Sequence, residues 1–117
     1  MIITVLQAKL HRAIVTNSEL TYEGSIFIDR EILQESGILA YQKVEIYNIN
    51  NGERFATYAV PVDIKNEVCI NGAAARLVQK GDRIIVCAYC EISPEIAKNW
   101  EPKVLLIQEE NTNFIIK

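Results

Sequence analysis

The chain has 117 residues, half of them apolar and 23% charged, which suits one domain with a real core and excludes two. Its formal net charge of −3 excludes a general nucleic-acid binder, which needs a basic face, so no nucleic acid is expected as a partner. No apolar run reaches the roughly 18 residues of a membrane span, and Met1–Leu6 lacks the basic region of a secretory signal; the expected location is cytoplasmic, with no membrane partner.

In chain order the pattern is short β-rich runs with turn punctuation, which predicts a small barrel or sandwich. Residues 2–16 mix β-branched and polar residues in loose alternation and predict a first strand. Ser25–Ile28 predicts a short one. Asp29 is placed to cap a helix over 30–36, with Gly37 at its C′ position. Residues 44–49 and 54–60 predict two strands joined through Asn51-Gly52, a strong hairpin signal. Residues 67–70 predict another strand, followed by Asn71-Gly72-Ala73-Ala74-Ala75-Arg76, a small-residue segment expected to expose its backbone. Gly81-Asp82 turns the chain into a strand over 83–91. Ser93 caps a short helix over 94–99, and 103–108 and 113–116 close the chain as strands. No repeat or linker interrupts this order, so residues 1–117 are expected to form a single domain.

The three cysteines are Cys69, Cys87 and Cys90. An odd number fits a reducing compartment better than a disulfide framework. Cys87 and Cys90 have the spacing of a zinc or redox pair. On a strand, however, residues three apart point to opposite faces. No metal site is expected, and the thiols read as packing groups.

Gly24-Ser25 at a strand entrance is either a simple turn or a reactive pair. A glycine can take up a strained conformation that lets a hydroxyl approach its carbonyl, and the nearest hydroxyl is Ser25 Oγ. The single histidine, His11, reads by itself as a hydrogen-bonded structural imidazole. No catalytic triad, P-loop or dinucleotide fingerprint is present. On the strand over 54–60, Arg54 and Tyr58 share one face with Ala56 between them, leaving room for a ligand. Arg54 offers a fork to a carboxylate and Tyr58 a phenolic proton. A surface arginine beside a half-buried tyrosine is the blander alternative. Thr57 faces the other way on a regular strand; it reaches that side only if the backbone bends or a neighbouring subunit closes the pocket. Gly72 and the alanines after it can present backbone N–H groups to a substrate or a developing oxyanion, or can simply pack as a turn.

Four segments occur in one order and spacing: Lys9-Leu10-His11-Arg12, Tyr22-Glu23-Gly24-Ser25, Asn51-Gly52-Glu53-Arg54-Phe55-Ala56-Thr57-Tyr58, and Asn71-Gly72-Ala73-Ala74-Ala75. Together they resemble the pyruvoyl-dependent L-aspartate α-decarboxylases, bacterial enzymes that make β-alanine for pantothenate. The resemblance runs from Met1 to about Val104. It implies a mainly β fold, a double-psi β-barrel with short flanking helices, assembled as a homotetramer with active sites at subunit interfaces. It also implies a zymogen that cleaves itself between Gly24 and Ser25, giving chains 1–24 and 25–117. The cofactor would be a pyruvoyl group formed from Ser25, with no pyridoxal phosphate and no metal.

The same resemblance implies the roles. Ser25 Oγ attacks the Gly24 carbonyl, and Thr57 gives a hydroxyl hydrogen bond to the intermediate. The resulting ketone engages the amine of L-aspartate in Schiff-base chemistry and accepts the electrons that the departing carboxylate leaves. Tyr58 returns a proton. Arg54 and Lys9 hold substrate carboxylate, Thr57, Asn71, Gly72, Ala73 and Ala74 line the pocket, and His11, Tyr22 and Tyr47 support it. Two departures are mild: Tyr47 stands where some relatives carry Trp, and Ala8 where some carry Gly. Whether a maturation factor assists cleavage is not written in the sequence. The competing readings are a non-catalytic barrel module and a pyruvoyl decarboxylase for another amino acid; Arg54 favours a substrate with an extra carboxylate.

Overall fold

Only Val15 and Thr16 separate β1 (Ile3–Ile14) from β2 (Asn17–Glu19) in the computed structural model, which describes all 117 residues. Yet these strands lie six places apart in the hydrogen-bonded order β2-β6-β3-β5-β4-β7-β1-β8-β9. In a flat sheet that is about 29 Å at roughly 4.8 Å per strand, whereas three peptide steps reach about 11 Å. The sheet must therefore curl into a barrel. At the seam, Val15 N donates to Asp82 O and Thr16 N to Val68 O, both at 2.8 Å.

The remaining elements are β3 (Ser25–Asp29), α1 (Arg30–Ser36), β4 (Lys43–Asn48), β5 (Arg54–Val62), β6 (Val68–Asn71), a 3₁₀ helix over Gly72–Leu77, β7 (Arg83–Ile92), α2 (Pro94–Ala97), β8 (Lys103–Gln108) and β9 (Asn113–Ile116). The core is built by alternation. Ala8 and Leu10, Ile26 and Ile28, Val44 and Ile46, Val68 and Ile70, and Ile84, Val86 and Ala88 point inward from their strands. In β1 the alternation slips by one, from Leu10 to Ala13. The cause is a bulge between His11 and Ala13 in the pairing with β7, with Arg12 at φ 67°. Upstream of that bulge, Lys9 and His11 share the outer face.

The caps behave as their residues require. Asp29 Oδ1 accepts from Glu31 N at 3.0 Å, and Gly37, at φ 78°, closes α1 by donating to Leu33 O. The β4–β5 hairpin exists, but its turn is not a two-residue Asn51-Gly52 loop. Gly52 alone takes a positive φ, and the strands close through Asn48 N to Glu53 O at 2.9 Å. α2 stops at Ala97 rather than 99; beyond it the chain runs on in i→i+3 turns as far as Trp100. Buried Asn111 exchanges hydrogen bonds with the Ile14 backbone, both at 2.9 Å, and pins the β8–β9 turn to the barrel.

Candidate active site

β3 lies between β6 and β5. Ser25 pairs with Asn71 of β6, and Ile26 pairs with Ala59 of β5, which sets Ser25 level with Tyr58. Both line one open cleft of about 470 Å³, with Tyr22, Phe27, Tyr41 and Val60 among its other walls. The Tyr58 ring lies 6.2 Å from the Tyr41 ring, and Tyr22 lies 6.3 Å from Phe27.

Ser25 is 3% exposed and Asn71 fully buried. Asn71 Nδ2 donates to Ser25 Oγ at 3.1 Å, while the Ser25 hydroxyl points to Glu23 O at a long 3.4 Å. Cys69 Sγ donates to Asn71 Oδ1 at 3.2 Å. Burial, and then the charges of Glu67 and Glu19, push the Cys69 thiol up to about 11. It therefore keeps its proton at neutral pH and remains a donor. The two contacts fix which way the Asn71 amide points. The serine oxygen accepts a hydrogen bond, and its own proton is only weakly engaged.

The backbone places the strain differently from the sequence expectation. Gly24 has no positive φ, and a Cβ there would meet nothing within 4 Å. The demanding glycine is Gly72. It sits at φ 74°, and a Cβ on it would lie 2.7 Å from Gly24 Cα and 2.8 Å from Gly24 N. The missing side chain of Gly72 is what lets the end of β6 lie against the Gly24 peptide. The following segment is not an open backbone either. It forms the 3₁₀ helix, with Ala75 buried and Ala74 packed against the core, and only Ala73 and Arg76 are exposed.

A second cluster occupies the outer face of β1, β7, β4 and β5. The ladder aligns His11, Ile85, Tyr47 and Arg54 in one row and Lys9, Cys87, Glu45 and Ala56 in the next. The Arg54 guanidinium carbon stands 3.8 Å above the centre of the Tyr47 ring. Tyr47 Oη is 2.6 Å from Tyr89 Oη. Desolvation, with Lys9, Arg12 and Lys117 nearby, holds the His11 imidazole below its ordinary 6.5, so it is neutral at pH 7. Burial pushes the Cys87 thiol up, against the pull of Tyr89, Lys9 and Arg54.

Lys9 and Arg54 do not line the Ser25 cleft. Arg54 and Tyr58 share a face as expected, but four residues on a strand separate their backbones by about 13 Å. Thr57 pairs with Val44, which is buried, along an unbroken stretch of ladder. It therefore faces away from Tyr58, and a single chain does not bring it to Ser25.

The Aspartate decarboxylase family model matches residues 1–114. This chain belongs to the aspartate decarboxylase family. The curated relatives agree. A protein of Caulobacter vibrioides named Aspartate 1-decarboxylase is 53% identical over 112 residues, covering 95% of each chain. One of Campylobacter jejuni with the same name is 50% identical over 112 residues, covering 96% of this chain and 89% of its own. One of Bdellovibrio bacteriovorus is 49% identical over 111 residues, covering 95% of this chain and 89% of its own. The closed, mainly β sheet and its two short helices accord with the double-psi β-barrel of the aspartate decarboxylases.

Three residues of the candidate site have no functional role in the sequence analysis: Tyr41, Cys69 and Tyr89. Tyr41 lies in the loop before β4, where no periodicity marks it. Cys69 reads from sequence as a packing thiol, and Tyr89 carries no signal of its own within the β7 run. Alternation along 67–71 does place Cys69 on the same face as Asn71, and that was the available clue.

Proposed function

We infer that this chain decarboxylates L-aspartate to β-alanine and CO2, the reaction that supplies pantothenate synthesis, and that it makes its own cofactor at residue 25. Family membership across residues 1–114 supports the activity. The observation that carries the self-processing is the cradle in which Gly72 lies against Gly24 while Asn71 donates to Ser25 Oγ. That cradle fits a pyruvoyl group at position 25, since residue 25 is almost fully buried and the buried Asn71 amide offers a donor beside it.

In processing, Ser25 Oγ attacks the Gly24 carbonyl carbon and the peptide nitrogen leaves, converting amide to ester. Loss of the Ser25 Cα proton then forms a Cα=Cβ double bond as the Cβ–Oγ bond breaks, freeing Gly24 as a carboxylate that keeps the Oγ oxygen. Water replaces the nitrogen on residue 25 and ammonia departs, leaving the ketone. Asn71 Nδ2 orients the hydroxyl, and Gly72 keeps the backbone close. Thr57 acts only if a neighbouring subunit or a local shift brings it in.

A pyruvoyl ketone next to an amide carbonyl supplies an electron sink for a substrate amine. The chain's own residues do the rest. Tyr58, level with residue 25, donates its Oη proton to the substrate carbanion. Arg54 and Lys9 bind carboxylate; Asn71 acts from behind Ser25, and of the segment after it only the exposed first turn of the 3₁₀ helix, at Ala73, is free to border the substrate. Because the carboxylate-binding cluster does not line the Ser25 cleft of its own chain, the site is completed between copies, in a homotetramer. No helix is long and apolar enough to cross a membrane; we place the enzyme in the cytoplasm.

The test is a mass spectrum of the purified protein alongside a β-alanine assay. Two fragments, 1–24 and a pyruvoyl-headed 25–117, with turnover of aspartate are expected. One intact, inactive chain indicates a binding module, and preferential turnover of glutamate or a neutral amino acid indicates a different decarboxylase. Sedimentation should give a tetramer, and a fully active monomer rules out the shared site.

Gly72→Ala probes the cradle directly. The left-handed backbone alone costs an alanine about 1–2 kcal/mol, and the Cβ must also push Gly24 away. Cleavage should slow by at least about 10-fold, followed as loss of intact chain over time. Cleavage at the wild-type rate would detach Gly72 from processing.

A further inference from the structure

Arg54 is exposed, on a long side chain with many rotamers, yet it is asked to present a fixed fork to a carboxylate. What holds it is the Tyr47 ring beneath it, at 3.8 Å. Tyr47 is half-buried on the outer face of the sheet, and its hydroxyl meets that of Tyr89 at 2.6 Å. The register shows how this comes about. Tyr47 is level with Ile85, and Glu45 with Cys87, so Tyr89 lies further along β7. The two tyrosines lean toward each other over the Lys9–Cys87–Glu45 row and meet at their tips.

We infer that Tyr89 is a positioning residue for substrate binding: its hydroxyl locks the Tyr47 ring, and that ring holds the Arg54 guanidinium ready for a carboxylate. This rests on the reading of Arg54 given above. Tyr89 does not line the Ser25 cleft of its own chain; it acts on carboxylate binding through Tyr47 and Arg54. The Tyr47 hydrogen bond, with burial behind it, pushes the Tyr89 phenol well above its ordinary value, so it stays protonated and the lock holds across the working pH range. The benefit is preorganisation. An arginine already stacked loses less freedom when it grips a carboxylate.

The test is Tyr89→Phe in the full, processed enzyme. It removes one oxygen and keeps the ring. KM for aspartate should rise about 3- to 10-fold, the span of one hydrogen bond. The turnover number should stay within about 2-fold and cleavage at Gly24–Ser25 should be unchanged. The inhibition constant of succinate, which offers carboxylates and no amine, should rise by the same factor, because it reads carboxylate binding without chemistry. Tyr47→Phe breaks the same bond from the other side, so the double variant should be no worse than either single one. Unchanged KM and succinate binding in Tyr89→Phe, a loss confined to the turnover number, or additive effects in the double variant would each overturn the proposal. Arg54→Ala run in parallel separates the two failures. If it weakens succinate while Tyr89→Phe does not, only the lock is wrong. If it leaves succinate unaffected, the role of Arg54 is wrong and the lock falls with it.

Discussion

Ser25→Ala is expected to give a folded, uncut chain with no decarboxylase activity. The change removes the atom that attacks the Gly24 carbonyl, and with it the leaving oxygen whose departure from Cβ lets water place the ketone oxygen on Cα of residue 25. Activity should fall to background, because neither the cleavage nor the electron sink can form without it. The fold should survive at a modest cost. Asn71 Nδ2, fully buried, loses its partner at 3.1 Å, which amounts to about 1–3 kcal/mol for an orphaned donor. The Cys69 contact still holds the other end of that amide. A thermal melt should therefore show one cooperative transition at a lower temperature, and a mass spectrum one species. Any 1–24 fragment in this variant would mean that another group opens the Gly24 peptide.

Much of the barrel was written in the sequence. β-rich runs and turn residues place β3, β4, β6 and β7 to within a residue or so of their spans, and Asp29 and Gly37 bound α1 because capping chemistry is local. β2 was missed for an equally physical reason. Asn17–Glu19 are polar and do not alternate, and they form a strand only because β6 lies alongside to pair with them. The site shows the same division. The order of its motifs was legible, and so was the shared face of Arg54 and Tyr58. The strained glycine was not. Whether Gly24 or Gly72 must take a positive φ depends on how closely β6 approaches the residue before β3, and that is a tertiary distance. The Tyr47–Tyr89 contact joins residues 42 apart on adjacent strands, and β4 and β7 are not consecutive, so no hairpin signal announced their pairing.

Tyr58→Phe and Arg54→Ala should separate proton transfer from binding. Both leave Ser25, Asn71 and Gly72 untouched, so both chains should cleave and carry the cofactor, as a mass spectrum would verify. Arg54→Ala removes charge-assisted hydrogen bonds worth about 1.5–3 kcal/mol each. KM for aspartate should rise by at least about 10-fold, and the inhibition constant of succinate should rise with it. Tyr58→Phe removes only an oxygen and keeps the ring that packs 6.2 Å from Tyr41, so the cleft keeps its shape and aspartate binding its strength. The turnover number should nevertheless fall by roughly 10²- to 10⁴-fold, the span for a lost general acid, with KM nearly unchanged. The direction of the split decides the roles. A Tyr58→Phe enzyme that is fully cleaved and turns over at the wild-type rate would remove Tyr58 as the proton donor. Water or another group lining the cleft would then protonate the carbanion, and the alignment of Tyr58 with residue 25 across β3 and β5 would serve binding alone.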